Sequence, residues 1–147
     1  MAGQFVLIGI LVVLGVPGLR DLASGGDVGW LLVALGAGAL VIGAWLLLRG
    51  FVDLGPSMTP LPRPRADGRL VESGIYASLR HPIYAGLILG SLGWSALTRS
   101  PAAFVVSLVL AAFLDAKARR EEVWLVDRYP QYGAYRLRTK RFLPGLY

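Results

Sequence analysis

The run 28–48 contains no charged residue, and it constrains the fold of this chain more than any other feature. A helix needs roughly 20 apolar residues to cross the hydrocarbon core of a bilayer, and this run has that length. Trp30 and Trp45 lie near its two ends, as aromatic residues do at membrane interfaces. Ala39 and Gly43, four residues apart, allow a second helix to approach closely. The run therefore predicts a transmembrane helix that packs against another helix.

The composition of the whole chain also indicates a membrane protein. Of its 147 residues, 55% are hydrophobic and 16% are charged, whereas about 25% are charged in soluble domains. A single domain of this size cannot bury so much apolar surface in water. The absence of cysteine excludes thiolate chemistry, and the single histidine leaves no pair with metal-ligand spacing, so we expect no metal.

Three further apolar runs, at 5–19, 82–98 and 101–116, predict an all-α integral membrane bundle of about four transmembrane helices. The last run continues as a helix to residue 128, because its alanine, leucine, glutamate and arginine residues favour helix. We expect one domain, 1–147, with a proline-rich basic loop at 49–81 and a C-terminal helical tail at 117–147.

The basic residues predict the orientation of this domain. Lys and Arg are concentrated in the loop and the tail, whereas the two opposite connections hold only Arg20 and Arg99. By the positive-inside rule, the loop, the tail and both termini are cytoplasmic. We interpret the basic clusters as contacts with anionic membrane lipid rather than nucleic acid. The oligomeric state stays open.

The only histidine lies at a helix start that is suited to a ligand. Because proline favours the first helical position, Arg80 and His81 should lie at the mouth of a helix that begins near Pro82. Free N–H groups at such a mouth attract a carboxylate or phosphate. The hairpin of the last two runs returns Glu121 and Glu122 to the same side. These glutamates either pair with nearby arginines or, together with the helix mouth, bind a ligand that carries both charges, such as an amino acid.

The tail alternates tyrosine with basic residues from 129 to 141. One interpretation is an interfacial segment, with tyrosines among the lipid headgroups and arginines on phosphates. The other is a lid that closes over a bound cofactor.

The chain from about residue 74 onward resembles the isoprenylcysteine carboxyl methyltransferase family, which is similar to the phospholipid N-methyltransferases. The resemblance rests on Arg80-His81-Pro82-Ile83-Tyr84-Ala85-Gly86, on Glu121-Glu122-x-x-Leu125, and on Tyr129, Tyr132 and Tyr135 before Pro144. The chain departs from the family in having Pro130 where a glycine is usual, and in its short length.

The resemblance implies an enzyme that binds S-adenosylmethionine and methylates a lipophilic acceptor, which is an isoprenylcysteine-like carboxylate, a phospholipid amine or another small hydrophobic molecule. By position in the motifs, the cofactor would contact Arg80, His81, Tyr84, Gly86, Glu121, Glu122, Tyr132, Tyr135 and Arg136. His81, Glu121 and Glu122 are the candidate catalytic residues, because an amine acceptor must first lose a proton. A carboxylate acceptor needs no general base.

Two other functions remain open from the sequence. Membrane reductases of the sterol type look similar at the His-Pro motif and in the tyrosine-rich tail, and they bind NADPH. A non-enzymatic membrane protein that binds anionic lipid through its loop and tail is the second alternative.

Overall fold

The computed structural model describes residues 2–22, 26–55, 70–143 and 145, and most of them are helical. Within these ranges, five α-helices follow one another: α1 Ala2–Gly15, α2 Gly26–Leu54, α3 Pro82–Leu97, α4 Pro101–Arg128 and α5 Tyr132–Arg138. Short 3₁₀ turns, Val16–Asp21 and Gly74–Ala77, follow α1 and precede α3. The central part of the predicted loop, 56–69, and Pro144 lie outside the described residues.

The predicted all-α membrane bundle is confirmed. Three segments, Gly3–Arg20, Gly26–Leu54 and Pro101–Arg128, are long and apolar enough to cross a membrane. The fourth apolar helix, α3, has 16 residues and is shorter than a usual span. Large apolar side chains on α2, such as Val28 and Leu35, are more than half exposed, as expected of a helix that faces lipid.

The helices extend beyond the apolar runs that predict them. α2 covers Gly26–Leu54 and so passes both ends of the predicted span 28–48. Arg49 and Asp53 therefore belong to this helix rather than to the loop, and they form an ion pair of 2.9 Å across one turn. α4 continues past residue 116 to Arg128, in agreement with its helix-favouring residues.

Glycines bring the backbones of α2 and α3 together. The buried glycines of α2 repeat every seven residues: Gly29, Gly36, Gly43 and Gly50. A methyl group on Gly43 would lie 2.8 Å from the carbonyl oxygen of Gly86, and one on Gly36 would lie 2.6 Å from that of Gly93. From Gly36 to Gly43 the residue number rises along α2, whereas the number of the partner on α3 falls from Gly93 to Gly86. The two helices are therefore antiparallel. A seven-residue repeat keeps one helix face against its partner, and small residues there allow close approach.

The hairpin of α3 and α4 is joined by hydroxyl groups. Ser107 Oγ donates to the carbonyl oxygens of Ser91, at 2.9 Å, and of Ala103 in its own helix. Ser100 caps α4 by accepting a hydrogen bond from the Ala103 N–H at 3.2 Å, and Pro101 occupies the first helical position. The hairpin therefore returns the chain to the end of the bundle where α3 begins.

α1 packs antiparallel against α4. Lys117 Nζ donates to Gln4 Oε1 at 2.9 Å, and Ser100 Oγ donates to the carbonyl oxygen of Leu14 at 3.0 Å. The start of α1 consequently lies at the same end of the bundle as the start of α3 and the end of α4.

The segment after α5 folds back onto the residues that lead into α3. The N–H of Lys140 donates to the carbonyl oxygen of Ser78 at 3.1 Å. In return, the N–H groups of Arg80 and His81 donate to the carbonyl oxygens of Lys140 and Arg141, at 2.8 and 3.1 Å. Backbone hydrogen bonds therefore hold the tail against the mouth of the α3–α4 hairpin.

Candidate active site

α3 begins at Pro82, as predicted, and Arg80 and His81 lie at its N-terminal mouth. The His81 side chain makes no capping hydrogen bond, and the residue is 8% exposed. Its ring stacks on Tyr84 with 5.4 Å between ring centroids, and the ring of Phe142 lies 6.2 Å away. His81 is therefore enclosed between the first turn of α3 and the tail.

Glu122 is buried and accepts hydrogen bonds from two arginines. Arg80 Nε donates to Oε1 at 2.9 Å, and Arg141 donates to both oxygens at 3.1 and 3.0 Å. Arg141 also donates to Asp115 Oδ1 at 3.0 Å. The four residues Arg80, Asp115, Glu122 and Arg141, which we call the charge cluster, hold two positive and two negative charges. The formal charge of the cluster is therefore zero.

Arg80 joins α4 and the segment at the end of α5 to the mouth of α3. Its Nη1 donates to the carbonyl oxygen of Arg136 at 3.1 Å and to that of Thr139, while its Nε is bonded to Glu122. A guanidinium has five N–H donors. The predicted contact of Arg80 with a cofactor stays a prediction, and in the structure this side chain joins the helix mouth to the tail.

Glu121 has fewer partners than Glu122. The Tyr84 hydroxyl donates to its Oε1 at 2.7 Å, and Lys117 Nζ lies 4.0 Å from the same oxygen. His81 Nδ1 lies 3.8 Å from Oε2, which is beyond hydrogen-bonding distance. Within the described part of the chain, Oε2 accepts no hydrogen bond. Of the two predicted glutamates, Glu121 is thus the one with a carboxylate oxygen left for a ligand.

Two buried polar atoms beside these glutamates have no hydrogen-bond partner among the described residues: His81 Nε2 and the hydroxyl of Tyr132. His81 Nε2 lies 3.4 Å from Glu122 Oε1 but lacks the geometry of a hydrogen bond. Tyr132 is 1% exposed, and burial together with the charge of Glu122 raises its pKa above the usual range. An unpaired polar group costs free energy when buried, so both atoms are suited to a bound ligand.

Tyr135 has a structural partner, unlike Tyr132. Its hydroxyl donates to the carbonyl oxygen of Tyr76 at 2.7 Å, and the Tyr76 hydroxyl donates to the carbonyl oxygen of Gly50 at 3.2 Å. Burial raises the pKa of Tyr135 to about 12, so the hydroxyl is a neutral donor at physiological pH. Tyr135 thus connects the tail, through Tyr76, to the end of α2.

Two other predicted site residues have different surroundings. Gly86 lies on the face of α3 that contacts α2, where a methyl group would lie 2.6 Å from the carbonyl oxygen of Gly43. The side chain of Arg136 is exposed, and its carbonyl oxygen accepts a hydrogen bond from Arg80. The cofactor contacts predicted for these two residues stay predictions.

Sequence reasoning does not find Asp115, Lys117, Arg141 and Phe142 as site residues. Lys117 lies over the ring of Tyr84, with Nζ 5.0 Å from its centroid. Arg141 is one of several basic residues in the tail, and no spacing in the sequence distinguishes it from its neighbours. Its burial follows from the path of the chain after α5.

Among the residues that the structure describes, no group of three His, Cys, Asp or Glu side chains is close enough to hold a metal ion. The expectation of a site without metal stays a prediction.

Comparison with known proteins places this geometry in a family. The family model for phospholipid methyltransferase matches residues 31–132. Protein-S-isoprenylcysteine O-methyltransferase of Schizosaccharomyces pombe is 34% identical over 102 residues, which cover 65% of this chain and 43% of that protein. The cobalt-zinc-cadmium resistance protein CzcN of Cupriavidus metallidurans is 39% identical over 83 residues, which cover 56% of this chain and 38% of that protein.

The fold also has a solved counterpart. The structure of the eukaryotic intramembrane Ras methyltransferase ICMT superimposes with a TM-score of 0.78 and 22% identity, covering 95% of this chain and 52% of that one. The chain thus corresponds to about half of that structure, and to less than half of each of the two relatives above. The match to the family model includes α3, α4 and both glutamates. This integral membrane protein belongs to the phospholipid methyltransferase family.

Proposed function

We propose that the chain is an S-adenosylmethionine-dependent methyltransferase that acts on a lipophilic acceptor at the cytoplasmic face of the membrane. Family membership supports the reaction class. The observation on which the site rests is the carboxylate of Glu121. It lies beside His81 at the mouth of α3, and one of its oxygens accepts no hydrogen bond from the residues that the structure describes.

The residues at this mouth fit an adenosyl amino acid. Glu121 Oε2 is an acceptor for an ammonium group or a ribose diol, and His81 Nε2 and the Tyr132 hydroxyl are buried polar atoms without partners in the described residues. Since Arg80 is bonded to Glu122 and to the tail, its main role in this proposal is to position the site.

S-adenosylmethionine, when bound, supplies a methyl group on a positively charged sulfur. Methyl transfer is an in-line displacement, so the protein contributes mainly by orienting the reactants and excluding water. An apolar cluster of Ala85, Ala118 and Phe142, flanked by Leu46 and Ile88, lies next to the site and would keep water away.

The acceptor determines whether a base is needed. A carboxylate acceptor is already a nucleophile, whereas an amine must lose a proton first. Glu121 and His81 each have an atom free to take that proton. Glu122, the third predicted catalytic residue, accepts hydrogen bonds from two arginines, and we assign it to the positioning of the tail.

The test is cofactor binding by the purified protein in lipid nanodiscs, measured by calorimetry with S-adenosylhomocysteine. We expect binding, and a loss of about tenfold or more in Glu121→Gln, because a charge-assisted contact is removed. Asp127→Asn is the matched control, since it removes a negative charge from an exposed position near the end of the same helix. Equal binding by the wild-type protein, Glu121→Gln and Asp127→Asn would show that Glu121 does not contact the cofactor.

A second assay identifies the reaction. Radiolabelled S-adenosylmethionine and total membrane lipid are incubated with the nanodiscs, and we expect label in the lipid fraction. Binding of NADPH without binding of S-adenosylhomocysteine would instead support the reductase alternative and overturn the proposal.

A further inference from the structure

Lys117 lies on α4, one helical turn before Glu121, and its side chain is mostly buried among the helices. The side chain is 16% exposed, although a lysine at the end of an apolar helix commonly extends to the headgroups and to water. Ammonium groups are rarely buried without partners, because their desolvation costs free energy. The inward position of this charge therefore indicates a role within the bundle.

Gln4 of α1 holds the ammonium group in this position. Lys117 Nζ donates to Gln4 Oε1 at 2.9 Å. One turn earlier on α4, the ring of Phe113 lies beside Gly3, where a methyl group would be 3.5 Å from the ring. These contacts on successive turns fix the start of α1 against this face of α4. Because α1 precedes the segment 31–132 that matches the family model, the contact brings an element outside that match to the site.

The ammonium group lies beside the carboxylate that the site offers to a ligand. Lys117 Nζ is 4.0 Å from Glu121 Oε1 and 5.0 Å from the centroid of the Tyr84 ring. The distance to Oε1 is too long for a hydrogen bond, so Lys117 acts on the carboxylate through its charge. The charge cluster has a formal charge of zero. The positive charge of Lys117 therefore offsets the negative charge of Glu121.

We propose that Lys117 controls the charge of the cofactor site and thereby the relative affinity for S-adenosylmethionine and S-adenosylhomocysteine. The inference rests on the proposed function and assigns to Lys117 a role in specificity. The two molecules share their amino acid and nucleoside groups, but the sulfonium gives S-adenosylmethionine one more positive charge. A fixed ammonium group in a partly buried site repels that charge more strongly than it would in water. Lys117 therefore weakens the binding of the donor relative to that of the product, and Glu121 has the opposite effect.

The test measures the affinities for both ligands by calorimetry and compares their ratio among variants. The nanodiscs consist of phosphatidylcholine, which has neither a free amine nor a carboxylate to be methylated. Contacts that both ligands make cancel in the ratio, whereas a change in the charge of the site does not. In Lys117→Gln, whose amide can still donate to Gln4, we expect the affinity for S-adenosylmethionine to rise about tenfold relative to that for S-adenosylhomocysteine. Glu121→Gln should lower this ratio, because it removes the negative charge.

Three further variants separate the charge of Lys117 from its packing. Lys117→Arg retains the charge, and its ratio should stay within about twofold of the wild-type value. Arg120→Met is the matched control, because Arg120 is exposed on the same helix and solvent screens its charge. Gln4→Leu removes the acceptor that holds the ammonium group, and it should shift the ratio in the same direction as Lys117→Gln but less. It also provides the comparison if Lys117→Gln does not fold.

The outcomes distinguish this inference from the proposed function. An unchanged ratio in Lys117→Gln, including an equal loss of affinity for both ligands, would show that Lys117 only supports the fold and would overturn the inference. A shift of the same size in Arg120→Met would also overturn it, because any nearby positive charge would then have the same effect. If the wild-type protein bound neither ligand, the proposed function itself would be contradicted.

Discussion

Glu121 and Glu122 are adjacent in the chain, yet their side chains have different surroundings. Glu122 is 4% exposed and bonded to both arginines of the charge cluster, whereas Glu121 is 16% exposed and accepts one hydrogen bond, from Tyr84. Glu122 therefore has a structural role, whereas the carboxylate of Glu121 is available to a ligand.

This difference predicts opposite effects of two equivalent substitutions. Glu122→Gln removes the carboxylate that accepts hydrogen bonds from both Arg80 and Arg141, and we expect it to destabilise the fold by about 3 kcal/mol. Glu121→Gln should cost about 1 kcal/mol or less, because the amide oxygen can still accept the Tyr84 hydrogen bond. Thermal unfolding in detergent measures both values. Trypsin should cleave the tail of Glu122→Gln faster, and equal cleavage of the two variants would contradict this assignment.

Tyr132 and Tyr135 are a second pair of nearby residues whose side chains differ in their hydrogen bonds. Tyr135→Phe removes the hydrogen bond to Tyr76 and should destabilise the protein by about 1 kcal/mol. Tyr132→Phe removes a hydroxyl without a partner in the described residues, so the unfolding temperature should be unchanged or higher. If the Tyr132 hydroxyl contacts the cofactor, this variant should also bind S-adenosylhomocysteine more weakly. A lower unfolding temperature in Tyr132→Phe would show that its hydroxyl has a structural role.

At the scale of the helices, the contact between α2 and α3 was partly predictable. The pairs Ala39/Gly43 and Gly86/Gly90 indicate close packing, but the stronger signal is the seven-residue repeat of glycines along α2. That repeat is visible in the sequence and identifies the face of α2 that meets its partner. The identity of the partner is not visible, because α1, α3 and α4 are also apolar.

The glycine contact gives a prediction with an internal control. Gly43→Ala places a methyl group 2.8 Å from backbone atoms of Gly86 and Gly90, so the helices must move apart. We expect a loss of about 1–3 kcal/mol in the free energy of unfolding. Gly38→Ala, on the same helix, meets no atom within 4 Å and should be neutral or slightly stabilising. Equal unfolding temperatures of the two variants would contradict the packing of α2 against α3.

At the scale of the molecule, the sequence predicts that the start of α3 and the end of α4 lie together, but it does not predict the contacts that attach the tail to them. The hairpin of two apolar runs is sufficient to bring Arg80 and His81 to Glu121 and Glu122, because its two arms have similar lengths. The contacts of Arg141 depend on a turn after α4 and on the short helix α5. These are set by backbone hydrogen bonds between Ser78, Lys140 and Arg80, which leave no periodic pattern in the sequence.

The proposed orientation is testable by single cysteine labelling, because the natural chain contains no cysteine. Leu137→Cys is on the tail, where the native side chain is 89% exposed, and Asp27→Cys is at the exposed start of α2. In intact cells, a membrane-impermeant maleimide should label Asp27→Cys and leave Leu137→Cys unlabelled until the membrane is permeabilised. The reverse pattern would place the site outside the cytoplasm.

The charge cluster also has a consequence for the biogenesis of the protein. Arg141 follows all of the apolar helices in the chain, so it leaves the ribosome after them and can join the charge cluster only once they have emerged. Until then, Glu122 lacks one of its two arginine partners, and the residues that cover His81 are not in place. We therefore expect the enclosure of His81 by the tail to be a late step of folding, and a chain truncated before Arg141 to leave the mouth of the hairpin uncovered.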